Sequence, residues 1–382
     1  MKTPIYLDYA ATTPCDPDVA SVIQSCLTLD GTFANPASRS HLYGWQAEAV
    51  VEKARKQVAR LLNADSREIV WTSGATEANN LALKGVAYAC SEKGKHIVSS
   101  LAEHKAVIDS LLYLETQGFE ITWVKPEATG EISVDEVKKA IRPDTILIST
   151  MHVNNETGSI TDIHAIGELA AENNIVYHVD AAQSAGKIPL DTSLIKADLI
   201  SMCAHKVYGP KGVGVLYVRR KPDFTLPAQI HGGGHEQGMR SGTLPTHQIA
   251  GMGCAFELAF QRMAQDMDKL NMLKSLFLNK VMKVSCVSLN GCIDSAVPGI
   301  VNLTFGGVDG QVLLSALPML AVSSGSACNS ATVSPSHVLT AMGVSELEAL
   351  SALRFSFGRF STEEEINFAA DKLLEVLGKL SA

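Results

Sequence analysis

Short runs of β-branched and apolar residues alternate with helical stretches between Glu68 and Val218, and this alternation limits the fold more than any other feature. The helical stretches between the runs carry apolar residues three and four positions apart, which is typical of helices packed on a sheet. The pattern predicts an α/β fold with a largely parallel sheet flanked by helices. The strand-like runs are 68–72, 96–99, 145–150, 175–180, 199–203 and 213–218, and the helical stretches are 78–90, 106–116 and 163–173.

The alternation stops after Pro245. A long helical stretch covers 246–284, strand-like runs follow at 300–305 and 353–357, and a last helix begins near Ser361, where Ser361 and Glu364 fit a capping box. We therefore expect a large domain over residues 16–259. We expect a smaller α+β domain to be formed by residues 1–15 together with 260–382.

Composition excludes several classes of function. The 382 residues include 32 Lys and Arg against 40 Asp and Glu, a net charge of −8, and no basic run is present, so we expect no direct nucleic-acid partner. The most apolar stretch, 312–322, contains Ser315 and Pro318 and is too short to span a bilayer, and no apolar signal region begins the chain. We expect a cytoplasmic protein without a membrane partner.

The eight cysteines form no Cys-x-x-Cys pair and no cluster with histidine at zinc spacing. This spacing indicates neither a disulfide framework nor a metal site. We expect most of the thiols to be reduced and buried.

Two segments place polar groups where predicted strands end. In 72–77 (TSGATE) a strand passes into a helix, so free backbone N–H groups and the Thr76 hydroxyl are placed to hold a phosphate; an ordinary Ser/Thr helix cap is the alternative. Asp180 ends another strand, at the sheet edge where α/β proteins bind ligands. An aspartate there can pair with a buried cationic nitrogen or simply cap the next turn.

Lys206 follows the strand-like run 199–203 directly, within His205-Lys206, and faces the same predicted edge. Most lysines are solvated, but a lysine beside a phosphate site and an aspartate is well placed to form a Schiff base with a carbonyl cofactor. Lys211 is the rival amine, although the glycine and proline residues around it favour an exposed turn.

A loop of small polar residues, 323–332, contains a single thiol, Cys328. The loop offers little core in which to bury a structural cysteine. It has no Lys, Arg or His between Ala321 and Ser336, so no local charge lowers the thiol pKa from about 8.5. Any activation of Cys328 must come from elsewhere in the site.

Three weaker features complete the set of candidates. His104 lies just after a strand. It either supplies a flat ring and a proton to the site or is an ordinary surface histidine. Arg354 lies within an apolar strand, where it binds a carboxylate or forms a structural salt bridge. The Gly-rich segment 231–243 is able to follow a ligand or a partner closely.

Taken together, these motifs resemble the cysteine desulfurases of the IscS/NifS type, within the class V aminotransferase branch of the fold-type I pyridoxal-phosphate enzymes. The resemblance covers nearly the whole chain. It implies a large domain with a mostly parallel, seven-stranded sheet flanked by helices and a smaller α+β domain. The matching segments are 6–14 (YLDYAATTP), 72–77 (TSGATE), 103–104 (EH), 180–183 (DAAQ), 205–206 (HK), 239–243 (MRSGT), 323–328 (SSGSAC) and 354–359 (RFSFGR).

The resemblance also implies roles for individual residues. Lys206 would hold pyridoxal 5'-phosphate as a Schiff base, Asp180 would pair with its ring nitrogen, His104 would stack on the ring, and Gln183 would contact the ring oxygen. Cys328 would take the sulfur of L-cysteine as a persulfide, releasing L-alanine, for iron–sulfur cluster assembly or another thiolation acceptor. The phosphate would be held by Ala75, Thr76, Cys203, His205 and, from the other subunit of a homodimer, Thr243, and the substrate carboxylate by Asn155 and Arg354.

Three positions depart from the family pattern. Position 203 is Cys where Ser usually bonds the phosphate, and a thiol is the poorer donor, so we expect a lower cofactor affinity. Asn329 follows Cys328 where Thr is frequent. The sequence ends at Ala382 without the tail through which IscS proteins dock the scaffold IscU, so the resemblance does not carry that docking over to this chain.

Two other functions remain open from the sequence. A selenocysteine lyase or another class V enzyme shares the fold, although a transaminase needs no thiol. A non-catalytic sulfur-relay or assembly platform is the alternative of a different class, and the presence of Lys206, Asp180, His104 and Cys328 argues against it.

Overall fold

A computed structural model describes residues 4–222, 224–324 and 334–380 of the chain. Within these ranges no helix is both long and apolar enough to cross a membrane. The strands are β1 (Ile5–Tyr6), β2 (Ile69–Thr72), β3 (His96–Ser100), β4 (Glu120–Val124), β5 (Thr145–Met151), β6 (Val176–Asp180), β7 (Leu199–Cys203), β8 (Gly214–Val218), β9 (Val287–Asn290), β10 (Ile300–Phe305), β11 (Leu320–Ala321), β12 (Ser323–Ser324) and β13 (Ala352–Ser356). The α-helices are α1 (Pro17–Gln24), α2 (Leu42–Leu61), α3 (Ala75–Cys90), α4 (Lys105–Thr116), α5 (Val134–Ala140), α6 (Ile163–Glu172), α7 (Thr246–Val281), α8 (Gly310–Ser315), α9 (His337–Ala341), α10 (Glu346–Leu350) and α11 (Glu363–Leu380).

The largest sheet has seven strands in the order β2-β8-β7-β6-β5-β3-β4. Strands β3 to β7 run parallel to their neighbours among themselves, and β8 pairs antiparallel with both β7 and β2. The predicted α/β fold with a largely parallel, seven-stranded sheet is confirmed.

Alternate residues of the large sheet enter two different cores. On one face Val98, Ile148 and Ile200 pack with α2, α6 and the first half of α7. On the other face their neighbours Ile97 and Leu147 pack with α3 and α4. Because consecutive side chains of a strand point to opposite faces, strands that are apolar on both faces require helices on both sides of the sheet.

A second, four-stranded antiparallel sheet, in the order β12-β13-β10-β9, has its own apolar core against the second half of α7 and α11. The single helix α7 therefore contributes to both cores, through Phe256 to the first and through Phe277 to the second. Near the start of the chain, β1 lies parallel to β11, with Ile5 opposite Leu320. The N-terminal residues thus pack against elements from the end of the chain.

Two expectations from the sequence are wrong. The capping box of α11 lies one residue later than predicted: Glu365 N donates to Thr362 Oγ1 and Thr362 N donates to Glu365 Oε2, while Ser361 Oγ accepts instead from Gly358 N. Both registers place a Ser or Thr three residues before a glutamate, so the capping-box pattern does not decide between them. Of the seven described cysteines, all free thiols, only Cys26, Cys90 and Cys203 are buried.

Candidate active site

A cleft of about 550 Å³ opens at the carboxyl ends of β6 and β7, beside the N-terminus of α3. Parallel strands place the loops that follow them at one edge of the sheet, which brings residues that are distant in sequence to one place. Predicted site residues that line the cleft are Ala75, Thr76, His104, Asn155, Asp180, Gln183, Cys203, His205, Lys206 and Arg354.

The N-terminus of α3 forms one wall of this cleft. Gly74 is the N-cap residue, and no side chain among the described residues caps the helix. The ordinary Ser/Thr cap that the sequence left open is therefore not formed. An uncapped helix N-terminus presents free N–H groups and the positive end of the helix dipole, which together suit a phosphate.

Asp180 ends β6 and is buried in the floor of the cleft. Its Oδ1 accepts from Ala182 N at 2.9 Å, and its Oδ2 accepts from Asn79 Nδ2 at 2.7 Å. Asp180 thus caps the following turn, as the simpler interpretation of the sequence expected, and is also held in a fixed orientation by Asn79. Each carboxylate oxygen has a further lone pair for a cationic ligand in the cleft.

Lys206 and Cys203 lie at the end of β7, on the same side of the cleft. Within the described part of the chain, the Lys206 amine has no hydrogen-bond or ion-pair partner. The rival Lys211 also lines the cleft, but it lies in an exposed turn. Burial raises the pKa of the Cys203 thiol, with the neighbouring Lys206 opposing the shift. The cleft therefore combines an amine without a partner and a neutral thiol.

Two histidines face the cleft with neutral rings. Burial, reinforced by the charge of Lys206, lowers the pKa of His104, whose Nδ1 accepts from Ala106 N at 3.1 Å. His104 is the N-cap of α4, and its Nε2 therefore carries the ring proton. Burial also lowers the pKa of His205 to about 4.

Arg354 is buried in β13 and forms an ion pair with Asp8, so the structural salt bridge that the sequence left open is present. Its Nη2 donates to Asp8 Oδ1 at 2.8 Å, and its Nη1 donates to the carbonyl oxygen of Asn155 at 2.7 Å. Its Nε is buried and has no partner within the described residues. Arg354 lines the cleft, and Nη1 and Nη2 each carry a second hydrogen, which is compatible with carboxylate binding.

One of the predicted site residues that the structure describes is not brought into this cleft. Thr243 is exposed and does not line it. Its Gly-rich segment is fixed by ion pairs to helices α2 and α3: Glu236 accepts from Arg55 Nη1 at 2.8 Å, and Arg240 donates to Glu77 at 2.8 Å. Cys328 lies outside the described residues.

The sequence analysis missed Asn79 and Asp8, which orient Asp180 and Arg354 respectively. Asn79 lies four residues after Ala75, on the face of α3 toward the sheet, so a polar residue on an otherwise apolar helix face was the available signal. Asp8 gives no such signal, because its partner follows 346 residues later.

Comparisons with known proteins decide the family. The profile described as Aminotransferase class-V matches residues 5–368. The chain belongs to the class V aminotransferase family. One class V relative, "Cysteine desulfurase IscS" of Pectobacterium atrosepticum, is 56% identical over 380 residues, covering 100% of this chain and 94% of that protein.

Solved structures of the family agree with this assignment. A "NifS-like protein" superposes with a TM-score of 0.92 at 32% identity, covering 99% of this chain and 100% of the other. A structure described as "SspA in complex with cysteine" has a TM-score of 0.84 at 39% identity, covering 94% and 99% of the two chains.

Pyridoxal phosphate is the cofactor of this class V enzyme, and the cleft fits it. The uncapped start of α3 suits the phosphate, the buried carboxylate of Asp180 suits a protonated ring nitrogen, and the amine of Lys206 suits the aldehyde. Three chemically different groups thus occur together in a single cleft of adequate size.

Proposed function

We propose that this chain, a pyridoxal-phosphate-dependent cysteine desulfurase, uses the cleft residues to remove the sulfur of L-cysteine and pass it to the thiol of Cys328. The observation that carries the proposal is the meeting of Lys206, Asp180, His104 and the uncapped start of α3 in one cleft. Bound pyridoxal phosphate withdraws electrons from the α-carbon of an amino acid, which makes the C–S bond of cysteine breakable.

Each residue of the cleft has a separate role in the reaction. Arg354 and Asn155 would hold the substrate carboxylate, Asp180 would keep the ring nitrogen protonated, and the Lys206 amine would take the α-proton. His104 contributes a neutral ring with a proton at Nε2. Each assignment rests on the position of that side chain in the cleft.

The transfer of sulfur balances without any external oxidant. A new S–S bond forms between Cys328 and the substrate sulfur while the C–S bond breaks. The carbon keeps both electrons of that bond and takes up a proton, which gives L-alanine. The enzyme is left with a persulfide, and a thiol acceptor or reductant is needed to release it.

Borohydride reduction followed by peptide mass spectrometry tests the role of Lys206. We expect the reduced cofactor on the Lys206 peptide of the wild type, none on Lys206→Ala, and unchanged labelling in the matched control Lys211→Ala. Cofactor mass on Lys211 instead would contradict the role of Lys206, because Lys211 also lines the cleft.

Product assays test the role of Cys328. With L-cysteine and a reductant, we expect Cys328→Ala to keep the cofactor absorption but to yield little alanine or sulfide. The matched control Cys292→Ala replaces another free thiol and should behave like the wild type. Undiminished sulfide from Cys328→Ala would remove this thiol from the mechanism.

We further propose that the enzyme is a homodimer in which Thr243 serves the cleft of the other subunit. Large apolar side chains are exposed within residues 27–45, including Leu29 at 77% and Leu42 at 61%, and the rings of Phe33 and Tyr43 lie 5.8 Å apart. Several exposed apolar side chains within one segment, two of them packed together, support an interface. The exposed position of Thr243 on an anchored loop fits the same arrangement.

Mixed dimers test this sharing of residues. Lys206→Ala and Thr243→Ala subunits are each expected to be impaired alone. If Thr243 acts on the partner subunit, mixing them creates one intact site in each mixed dimer, so activity and cofactor binding should recover in part. No recovery on verified subunit exchange would place Thr243 in its own subunit's site.

We also propose an acceptor protein of the IscU scaffold type for the sulfur, and a cytoplasmic location. The seven described cysteines are all free, which supports a reducing compartment. Transfer of radioactive sulfur from labelled cysteine to an added scaffold tests the first proposal, and absence of label on the scaffold would exclude it. Cell fractionation tests the second, and recovery outside the cytoplasmic fraction would exclude it.

We propose a division into a domain of residues 16–259 and a domain of 1–15 with 260–382, which the two apolar cores support for most of the chain, although Val338, Leu339 and Met342 pack in the first core. Helix α7 changes from the first core to the second between Ala259 and Leu270. Limited proteolysis should therefore yield fragments that correspond to these units. Cleavage confined to other boundaries would count against the division.

A further inference from the structure

Lys187 is a charged residue beside the cleft to which the reaction described above gives no task. It follows Gln183 by four residues in the turn after β6, and its amine donates to Gln183 Oε1 at 2.7 Å. Among the described residues the amine makes this one hydrogen bond and no ion pair with a carboxylate. A half-buried lysine whose amine donates only to a neutral amide requires an explanation.

The contacts of Gln183 determine which atom of its amide is the oxygen and which is the nitrogen. A lysine amine in its charged form can only donate, so the atom facing Lys187 is the oxygen. The carbonyl of Ala10 can only accept, so the atom 2.8 Å from it is the nitrogen, Nε2. Nε2 carries a second hydrogen, and Gln183 lines the cleft together with Asp180, Cys203 and Lys206.

We propose that Lys187 is a positioning residue that holds the Gln183 amide so that its N–H, and not its oxygen, faces the cofactor in the cleft. The inference rests on the proposed function, because it takes the ring oxygen of pyridoxal phosphate as the group beside Gln183. A donor suits an anionic ring oxygen, whereas an amide carbonyl turned toward it would repel it.

The charge of Lys187 supports the same role. Burial, with a further contribution from the positive charge of Lys206, lowers the pKa of Lys187 to about 7. An amine in either protonation state has hydrogens to donate to Gln183 Oε1. The N–H of Gln183 that this contact turns toward the cleft favours negative charge on the ring oxygen and disfavours an added proton on the cofactor.

The test compares wild type, Lys187→Met, Lys187→Arg, Gln183→Ala and the double variant Lys187→Met/Gln183→Ala. The measurements are the affinity of the apoenzyme for pyridoxal phosphate and the pH at which the absorption of the bound cofactor changes. We expect Lys187→Met to bind the cofactor about tenfold more weakly, the size of one lost charge-assisted hydrogen bond. Its spectral transition should move to higher pH, and Lys187→Arg should restore both values in large part.

The double variant separates positioning from direct electrostatics and from simple stabilisation. If Lys187 acts through Gln183, the double variant should match Gln183→Ala, since the two changes are then not additive. Full additivity, or wild-type affinity and spectrum in Lys187→Met, would overturn the inference. If Lys187→Met does not fold, Lys187→Gln, which keeps an uncharged donor, replaces it. The changes in cofactor affinity and in the pH of the spectral transition should then have the same direction and be smaller.

Failure of the proposed function gives a different result from failure of this inference. Borohydride labelling of Lys206 in the wild type reports on the function and does not depend on Lys187. An unlabelled wild-type Lys206 would refute the function, whereas a labelled Lys206 with an unaltered Lys187→Met spectrum would refute only the role of Lys187.

Discussion

Cys203 brings a buried thiol to the part of the cleft where the cofactor phosphate is proposed to bind. Burial raises the pKa of this thiol, so it remains a neutral and weak hydrogen-bond donor. The substitution Cys203→Ser supplies a stronger donor of nearly the same size. We expect about three- to tenfold tighter binding of pyridoxal phosphate, measured by equilibrium titration of the apoenzyme.

The control for this prediction is Cys254→Ser, at a half-buried thiol on α7 away from the cleft. Its cofactor affinity should equal that of the wild type. Unchanged affinity in Cys203→Ser would mean that the thiol has no contact with the phosphate.

Glu156 is a buried carboxyl group whose protonation depends on pH near neutrality. Burial raises its pKa from 4.5 to about 7, although Ser336 Oγ donates to it and Arg354 is nearby. Between these pH values the folded state keeps a proton that the unfolded state loses, so the stability of the wild type falls as pH rises from about 4.5 to 7 and then levels off. Glu156→Gln keeps an oxygen for Ser336 and removes this loss.

We therefore expect Glu156→Gln to be more stable than wild type by about 1–3 kcal/mol at pH 8 and nearly equal to it at pH 4.5. Urea unfolding at the two pH values measures the difference. An equal difference at both pH values would show that Glu156 does not titrate in this range.

The sequence predicted the residues of the cleft that follow strands, because a strand end is a local signal. Asp180 and Lys206 were found in this way, and both line the cleft. It did not predict the residues that orient them, because Asn79 meets Asp180 only after α3 packs on the sheet. Side chains that act through other side chains leave no local pattern in a sequence.

At the scale of elements, the start of α3 depends on how closely β8 approaches it. A Cβ atom added to Gly214, the first residue of β8, would lie 2.6 Å from the Cα of Gly74 and 2.6 Å from the carbonyl oxygen of Met202. These are backbone atoms, so either the strand or the helix start must move. We expect Gly214→Ala to lose about 1–3 kcal/mol of stability and to bind the cofactor more weakly.

Thermal unfolding and cofactor titration measure these two effects. Gly378→Ala is the matched control, since an added Cβ there meets no atom within 4 Å and the residue lies within α11. That variant should be unchanged or more stable by up to about 1 kcal/mol. Wild-type behaviour of Gly214→Ala would show that β8 and α3 can separate freely.

The elements themselves were largely predictable, whereas their ends were not. The run 199–203 matched β7 at both ends, because Asp198 precedes this mostly apolar run and Ala204-His205 follows it. The edge strand β4 was missed because its residues are mostly half-buried or exposed and give no apolar run. Periodicity detects burial, and an edge strand is the least buried part of a sheet.

At the scale of the whole molecule, Arg359 joins the end of the second sheet to the large domain. Its Nη1 lies 2.9 Å from Asp16 Oδ2 and its Nη2 lies 2.8 Å from Asp266 Oδ2, and the guanidinium lies 4.2 Å from the centroid of the Tyr208 ring. Asp16 is 3% exposed. Removing the arginine by Arg359→Ala should cost about 3 kcal/mol, because it leaves this buried carboxylate short of a partner.

Urea unfolding again provides the measurement. Arg60→Ala serves as the control, because the side chain of Arg60 is 58% exposed in its pair with Glu257. An exposed pair of this kind contributes less than about 1 kcal/mol. Equal losses in the two variants would mean that burial does not strengthen the Arg359 contacts.

The alternation of strands and helices predicted the fold class. It did not predict the ion pair that connects the end of the second sheet to Asp16. Arg359 and Asp16 are 343 residues apart, and nothing in either local sequence indicates the other. Long-range ion pairs are decided by tertiary packing, which a single sequence does not display.

The pairing of β1 with β11 also has a consequence for how the molecule is made. The ribosome releases Ile5 roughly three hundred residues before its partner Leu320 exists, so the first strand must wait unpaired throughout most of synthesis. The large sheet can assemble during that interval, while the second sheet closes only when translation is nearly finished.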